Sequence, residues 1–127
     1  MQLFNKLALA VLATGLAAGP ALAADPTGTW QSASGESRYH VSYCGDGAEL
    51  CAKLTWLRED ARTAENLAYL NRYVVIGAVA SGDNQWKGHV RYDGDTFAGS
   101  VTMVSADALS LRGCKGMFCQ TMDFTRL

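Results

Sequence analysis

Histidine is scarce in this 127-residue chain, with His40 and His89 the only two. A metal centre or a Ser-His-Asp machinery would need such groups inward-facing and convergent. Both instead fall in the polar phase of alternating segments, Arg38-His40-Ser42 and Lys87-His89-Arg91, so both are expected to face solvent. There is no Gly-rich phosphate loop, no Cys-x-x-Cys and no motif marking a nucleophilic serine. Two carboxylate pairs occur, Glu59-Asp60 and Asp93-Asp95, and both lie in connections between apolar segments. With no constellation assembled, the chain is expected not to be an enzyme and to carry no metal and no cofactor.

An excess of positive charge is lacking as well. Lys and Arg number 11 against 12 Asp and Glu, for a net charge of −1. Nucleic-acid affinity rests on phosphate neutralisation, so nucleic acid is not an expected partner. No basic amphipathic stretch points to a membrane surface.

No apolar run reaches the roughly 20 residues of a membrane-spanning helix. The longest, Leu7 to Leu16, follows Lys6, is broken at and beyond its end by Gly15, Gly19 and Pro20, and leads to Ala21-Leu22-Ala23. A charged start, a short apolar middle and small residues at the end make a secretory signal peptide over residues 1–23, cleaved after Ala23. Residues 24–127 are then expected to form one domain, periplasmic or secreted, without membrane insertion. Loss of Lys6 leaves 10 basic residues against 12 acidic.

What is present in that exported part is cysteine: Cys44, Cys51, Cys114 and Cys119. An even count in a small exported domain reads as disulfides, and four cysteines allow three connectivities. Local pairing is favoured, because Cys44 and Cys51 bracket Gly45-Asp46-Gly47 while Cys114 and Cys119 bracket Lys115-Gly116. A four-cysteine zinc site would use two to four intervening residues within each pair, and six separate Cys44 from Cys51.

Turn signals recur at Ser34-Gly35-Glu36, Gly45-Asp46-Gly47, Gly82-Asp83-Asn84, Asp93-Gly94-Asp95, Ser105-Ala106-Asp107 and Gly113 to Gly116, with one longer connection from Arg58 to Arg72. They divide the chain into eight segments, most of which alternate. Tyr39, Val41 and Tyr43 share a phase; so do Ala52, Leu54 and Trp56, then Trp86, Gly88, Val90 and Tyr92, then Phe97, Gly99, Val101 and Met103, then Met122 and Phe124. Period two with one apolar face marks half-buried antiparallel strands. Val74 to Ala80 is apolar throughout, with Gly77 a candidate bulge. Ala61 to Leu70, inside the long connection, is a candidate short helix. The expected fold is all-β: a small eight-stranded antiparallel up-and-down barrel, lipocalin- or streptavidin-like, with one long loop or short helix.

In a simple meander the chain start, the Cys44–Cys51 hairpin and Arg126 share one end. The long connection, the Ser34-Gly35 and Asp93-Gly94 turns and the Cys114–Cys119 hairpin share the other. Gly28-Thr29-Trp30 is similar to the opening of lipocalin-type barrels, whose Trp at the closed end lies under an Arg of the last strand. Arg126, in phase with Met122 and Phe124, is the candidate for that stack.

Six groups of residues resemble the bacterial exported family of unknown function DUF2147. They are Gly28-Thr29-Trp30; Leu50-Cys51-Ala52-Lys53-Leu54-Thr55-Trp56-Leu57; Asn66 with Leu70-Asn71-Arg72; Trp86-Lys87-Gly88 with Tyr92-Asp93; Leu111-Arg112-Gly113; and Phe124-Thr125-Arg126. Ala52 stands where Gly is usual, Phe124 where Trp is usual, and Asp93-Gly94 where the family has Asp-Pro. The resemblance implies a lipocalin-like or streptavidin-like barrel and brings no activity with it.

Eight strands enclose a space that side chains just fill, so the expected barrel is mostly filled, with at most a shallow pocket at the long-loop end. Trp56, Arg58, Asp60, Asn66, Asn71, Arg72, Tyr92 and Asp93 are the candidate ligand-binding residues there. The expected partner is a small apolar molecule or a peptide, bound by a monomer. The alternative is a protein-interaction module, such as a calycin-like protease inhibitor or an envelope structural or stress protein.

Overall fold

Alternation carries the chain through eight strands in the computed structural model, which describes residues 25–92 and 94–127. The signal-peptide expectation for residues 1–23, and Asp93, lie outside the described residues. The strands are β1 (Gly28–Ser32), β2 (Ser37–Cys44), β3 (Glu49–Leu57), β4 (Tyr73–Gly82), β5 (Gln85–Tyr92), β6 (Asp95–Ser105), β7 (Ala108–Lys115) and β8 (Phe118–Arg126). Each pairs antiparallel with the next, and β1 pairs with β8 through Trp30↔Arg126, Gln31↔Thr125 and Ser32↔Phe124, closing the barrel. The all-β up-and-down barrel expected from the turn spacing is the fold.

Inward positions form one core. Trp30 (1 % exposed) and Leu50 (2 % exposed) lie at its base with Leu54, Val75, Trp86, Val101, Leu109 and Phe124. A buried side chain of this size contributes about 1.5–3 kcal/mol. Trp30 also has its polar edge satisfied, its Nε1–H donating to the Pro26 carbonyl at 2.9 Å.

Two of the sheet's register shifts bear on the site. β3 pairs with β4 through Leu50↔Ala78 and Ala52↔Val75, so β4 carries an extra residue at Ile76-Gly77. Gly77 has φ +69°, the left-handed conformation glycine adopts without strain, and the candidate bulge is present. β2 pairs with β3 through Tyr39↔Leu54 and then Arg38↔Trp56, leaving Thr55 as the extra residue. That bulge reverses the phase of the end of β3. Leu57 turns inward and is buried, while Trp56 turns outward.

The long connection is less helical than Ala61 to Leu70 implied. It contains a 3₁₀ turn, Glu59–Ala61, and a four-residue helix α1, Ala64–Leu67. Thr63 is extended and caps α1, its hydroxyl accepting from the Asn66 N–H at 3.2 Å. The segment ends at Asn71, φ +63°, a conformation asparagine tolerates. There the Asn71 N–H donates to the Leu54 carbonyl at 2.7 Å, and the Leu54 N–H to the Arg72 carbonyl at 3.0 Å. Asn71 and Arg72 thus dock the connection back onto β3.

Both disulfides are local, Cys44–Cys51 and Cys114–Cys119. They hold the β2–β3 and β7–β8 hairpins at opposite ends of the barrel.

Candidate functional site

The barrel is not filled. A cavity of about 310 Å³ opens at the long-loop end and runs down to Trp30, Val101, Leu109 and Phe124. The shallow pocket expected from strand number alone is therefore corrected to a deep one. Small residues at inward positions make the room. Gly88, Gly99 and Gly113 are register partners across β5, β6 and β7, and Ala52 and Ser37 face the same space. At Gly88 and Gly99 the neighbours close in, since a Cβ would meet Ala78 at 2.9 Å and Val90 at 2.6 Å. At Gly113 a Cβ would meet nothing nearer than 3.8 Å, and the space belongs to the cavity.

Most of the wall is apolar: Val41, Leu50, Leu54, Leu57, Val90, Leu111 and Met122. Polar groups gather beneath the rim, where β1 ends and β2 begins. Ser32 and Ser37 are buried, 5 % and 7 % exposed. The Ser32 Oγ accepts from the Ser37 N–H and the Ser37 hydroxyl, both at 3.2 Å, and lies 3.1 Å from the Ser34 Oγ. Ser34 in turn accepts from the Glu36 N–H at 3.3 Å. Tyr39 lies beside them on the wall, edge-on to Phe124 at 5.4 Å. Burial holds its phenol above the usual range; the neighbouring Ser37 side chain opposes that, and Tyr92 and Glu36 reinforce it. Tyr39 is thus a neutral group at any ordinary pH.

Two ion-paired clusters brace the mouth. Arg58 grips Asp60 with Nε and Nη2 at 2.6 and 3.0 Å, donates to the Ser34 carbonyl at 3.1 Å and stands 3.7 Å from Glu36. That hydrogen-bonded guanidinium lowers the pKa of Asp60 and is itself raised by it. On the other side Lys115 pairs with Asp95 and lowers its pKa. Tyr69 ties the long connection across the mouth, its hydroxyl accepting the Gly94 N–H.

The structure separates the candidates read from the sequence. Asn66 and Tyr92 line the cavity. Asn66 also donates through Nδ2 to the Ala61 carbonyl at 2.9 Å, which folds the connection over the mouth. Arg58 and Asp60 do not line the cavity; they brace the Ser34–Glu36 turn at its rim. Asn71 and Arg72 are docking residues of the connection, away from the cavity wall. Trp56 is corrected outright: on the outer face it lies under the Arg38 guanidinium, 4.2 Å from the ring centroid. Asp93 lies outside the described residues. Tyr43, which shares the phase of Tyr39 and Val41, is nonetheless 45 % exposed and does not reach the cavity.

Sequence reasoning missed Ser32, Ser37 and Tyr69. The first two had a signal, for Ser32 follows Trp30 by two and Ser37 precedes Tyr39 by two, so both share the inward phase. Tyr69 had none, since its position depends on where the connection folds. His40 and His89 are both exposed, and among the described residues no group of three or more His, Cys, Asp or Glu is placed to hold a metal ion.

A sequence-family model described as an uncharacterized protein conserved in bacteria (DUF2147) matches residues 28–126. No curated protein and no solved structure matches the chain.

Proposed function

The chain belongs to the DUF2147 family, and from that premise we propose that it is an exported, non-enzymatic barrel that binds a small apolar molecule, or the apolar part of a peptide, at its long-loop end. The observation that carries this reading is the cavity of about 310 Å³, apolar along most of its wall and open at that end. Ligand pockets of this type span about 300–1,000 Å³ and pair an apolar lining with a few placed polar groups. Apolar surface entering it gains about 25 cal/mol per Å². Export is supported by the charged start, apolar middle and Ala21-Leu22-Ala23, and by two disulfides, which persist in oxidising compartments. A monomer is supported by barrel closure, which leaves no strand edge for a second copy to extend.

A titration with the neutral apolar dye N-phenyl-naphthylamine tests the reading. Saturable one-to-one fluorescence enhancement is expected, and its loss on substituting Leu111→Trp, which fills the cavity from β7. Enhancement that is absent, or identical in the filled variant, overturns it.

One observation favours a second reading, a protein-interaction module. Met117 and Phe118, at the tip of the disulfide-held β7–β8 hairpin, are 93 % and 82 % exposed. Exposed apolar residues held rigidly beside a mouth suit a protein partner. Met117→Ser, at the residue of the two that does not line the cavity, would weaken such an interaction and leave dye binding intact.

A further inference from the structure

The hydrogens on the serine shelf can be counted. A hydroxyl has one hydrogen to donate and two lone pairs. The Ser32 Oγ accepts twice, from the Ser37 N–H and the Ser37 hydroxyl, so its own hydrogen goes to Ser34. Ser34 then accepts from both Ser32 and the Glu36 N–H, and its own hydrogen is uncommitted among the described residues. Ser37 has given its hydrogen to Ser32 and keeps lone pairs to accept with. The shelf thus presents one donor at the rim and an acceptor just below it. Both belong to uncharged groups.

Charge around the shelf opposes an ionic guest. Arg58 is the nearby cation, and Asp60 and Glu36 already face it, two carboxylates to one guanidinium. A carboxylate head there would meet a surplus of negative charge. A cationic head would have no carboxylate beneath the rim, because both are committed to Arg58 and exposed. Lys115 and Arg91 also border the cavity, but Lys115 is paired with Asp95, and Arg91 is exposed on β5, across the barrel from the shelf on β1 and β2. Below the shelf the wall is hydrocarbon down to Trp30, where a buried charge would go unpaired at high cost.

Resting on the ligand-binding reading above, we propose that the guest is an uncharged amphiphile: a hydroxyl or carbonyl head on the Ser34–Ser37 shelf, and a hydrocarbon tail descending toward Trp30. The head exchanges hydrogen bonds with water for equivalent ones on the shelf, while the tail leaves water entirely. Orientation follows from the same division of the wall, tail first and head beneath the mouth.

Competition against bound N-phenyl-naphthylamine tests this on the disulfide-intact protein, using 1-decanol, decanoate and decyltrimethylammonium. Decanol is expected to compete at least about tenfold better than either ion, the equivalent of one good hydrogen bond. Ser34→Ala and Ser37→Ala are each expected to weaken decanol several-fold relative to the dye, whereas a general loosening of the fold would weaken both alike. Either ion competing as well as decanol, or decanol indifferent to both substitutions, overturns the proposal while the binding site stands. A dye that does not bind at all overturns the site and the proposal together.

Discussion

The Arg126 guanidinium lies 4.4 Å over the indole ring of Trp30, and the two residues are backbone register partners across the seam that closes the barrel. The guanidinium also donates to three carbonyls: Thr27 and Asp25 at 2.7 Å and Ala106 at 2.9 Å. It therefore joins the start of the chain, the β6–β7 turn and β8 at one point. This plug closes the end of the barrel opposite the mouth and gives the cavity a floor.

Arg126→Ala is expected to destabilise the fold by about 2–4 kcal/mol, since it removes a cation–π contact and several charge-assisted hydrogen bonds at once. Arg126→Lys keeps the charge and loses the planar fork, and should fall between. Urea unfolding checks both; equal stability of the alanine variant and the parent would remove the plug from the account.

The two disulfides close loops with sequence separations of 7 and 5. Loop-closure entropy assigns each about 2–2.5 kcal/mol. Replacing Cys44 and Cys51 together should cost about that much stability and leave the mouth unchanged. Replacing Cys114 and Cys119 should cost a similar amount and also free the Met117–Phe118 tip at the rim. Thermal unfolding and the dye titration, run on both pairs, separate the two effects: only the second pair should alter ligand affinity.

Stability at the pH extremes follows from groups around the mouth. Arg58 and Lys115 hold the pKa of Asp60 and Asp95 below the usual value. A depressed carboxylate pKa contributes stability above the unfolded value near 4, and loses it as pH falls through the folded value. Asp60 is exposed and Asp95 partly so, and the acid limb from them should be shallow and weaken further in salt. Tyr39 is shifted the other way, raised by burial, so its contribution is complete below about pH 10 and is lost as pH climbs through the folded value. Tyr39→Phe should flatten that alkaline limb, and an unchanged limb would count against a buried neutral phenol.

Trp56→Ala should leave ligand affinity unchanged, because the indole packs under Arg38 on the outer wall. Tyr69→Phe, by contrast, removes the acceptor for the Gly94 N–H and frees the connection over the mouth. Faster ligand entry and release, with affinity changed less than either rate, is the expected outcome in stopped-flow fluorescence.

The fold was largely legible in the sequence because its signals are local. Turn residues spaced every eight to twelve or so positions, together with period-two alternation, define strands and hairpins without long-range information. The Trp30–Arg126 stack was legible because Gly28-Thr29-Trp30 is similar to the opening of lipocalin-type barrels and Arg126 shares the inward phase of Met122 and Phe124. The Cys44–Cys51 and Cys114–Cys119 pairings followed from the turns they bracket.

The site was harder for three physical reasons. The bulge at Thr55 reverses the phase of Trp56, and no residue type there announces it. Asn71 and Arg72 sit in a connection whose path depends on pairing with Leu54, a tertiary contact. The cavity depends on volume rather than pattern: Gly113, Ser37 and Ala52 keep the alternation while withdrawing the bulk that would fill the barrel. Strand number bounds the interior, and only the sizes of the inward residues say how much of it is occupied.

The central claim is that this barrel holds an apolar molecule above the Trp30–Arg126 plug. Native mass spectrometry of the disulfide-intact protein, purified from its own host beside the Leu111→Trp variant, tests it most directly. The account expects a discrete extra mass retained on the folded parent and absent from the filled variant. A bare chain in both, or the same adduct on both, would contradict it.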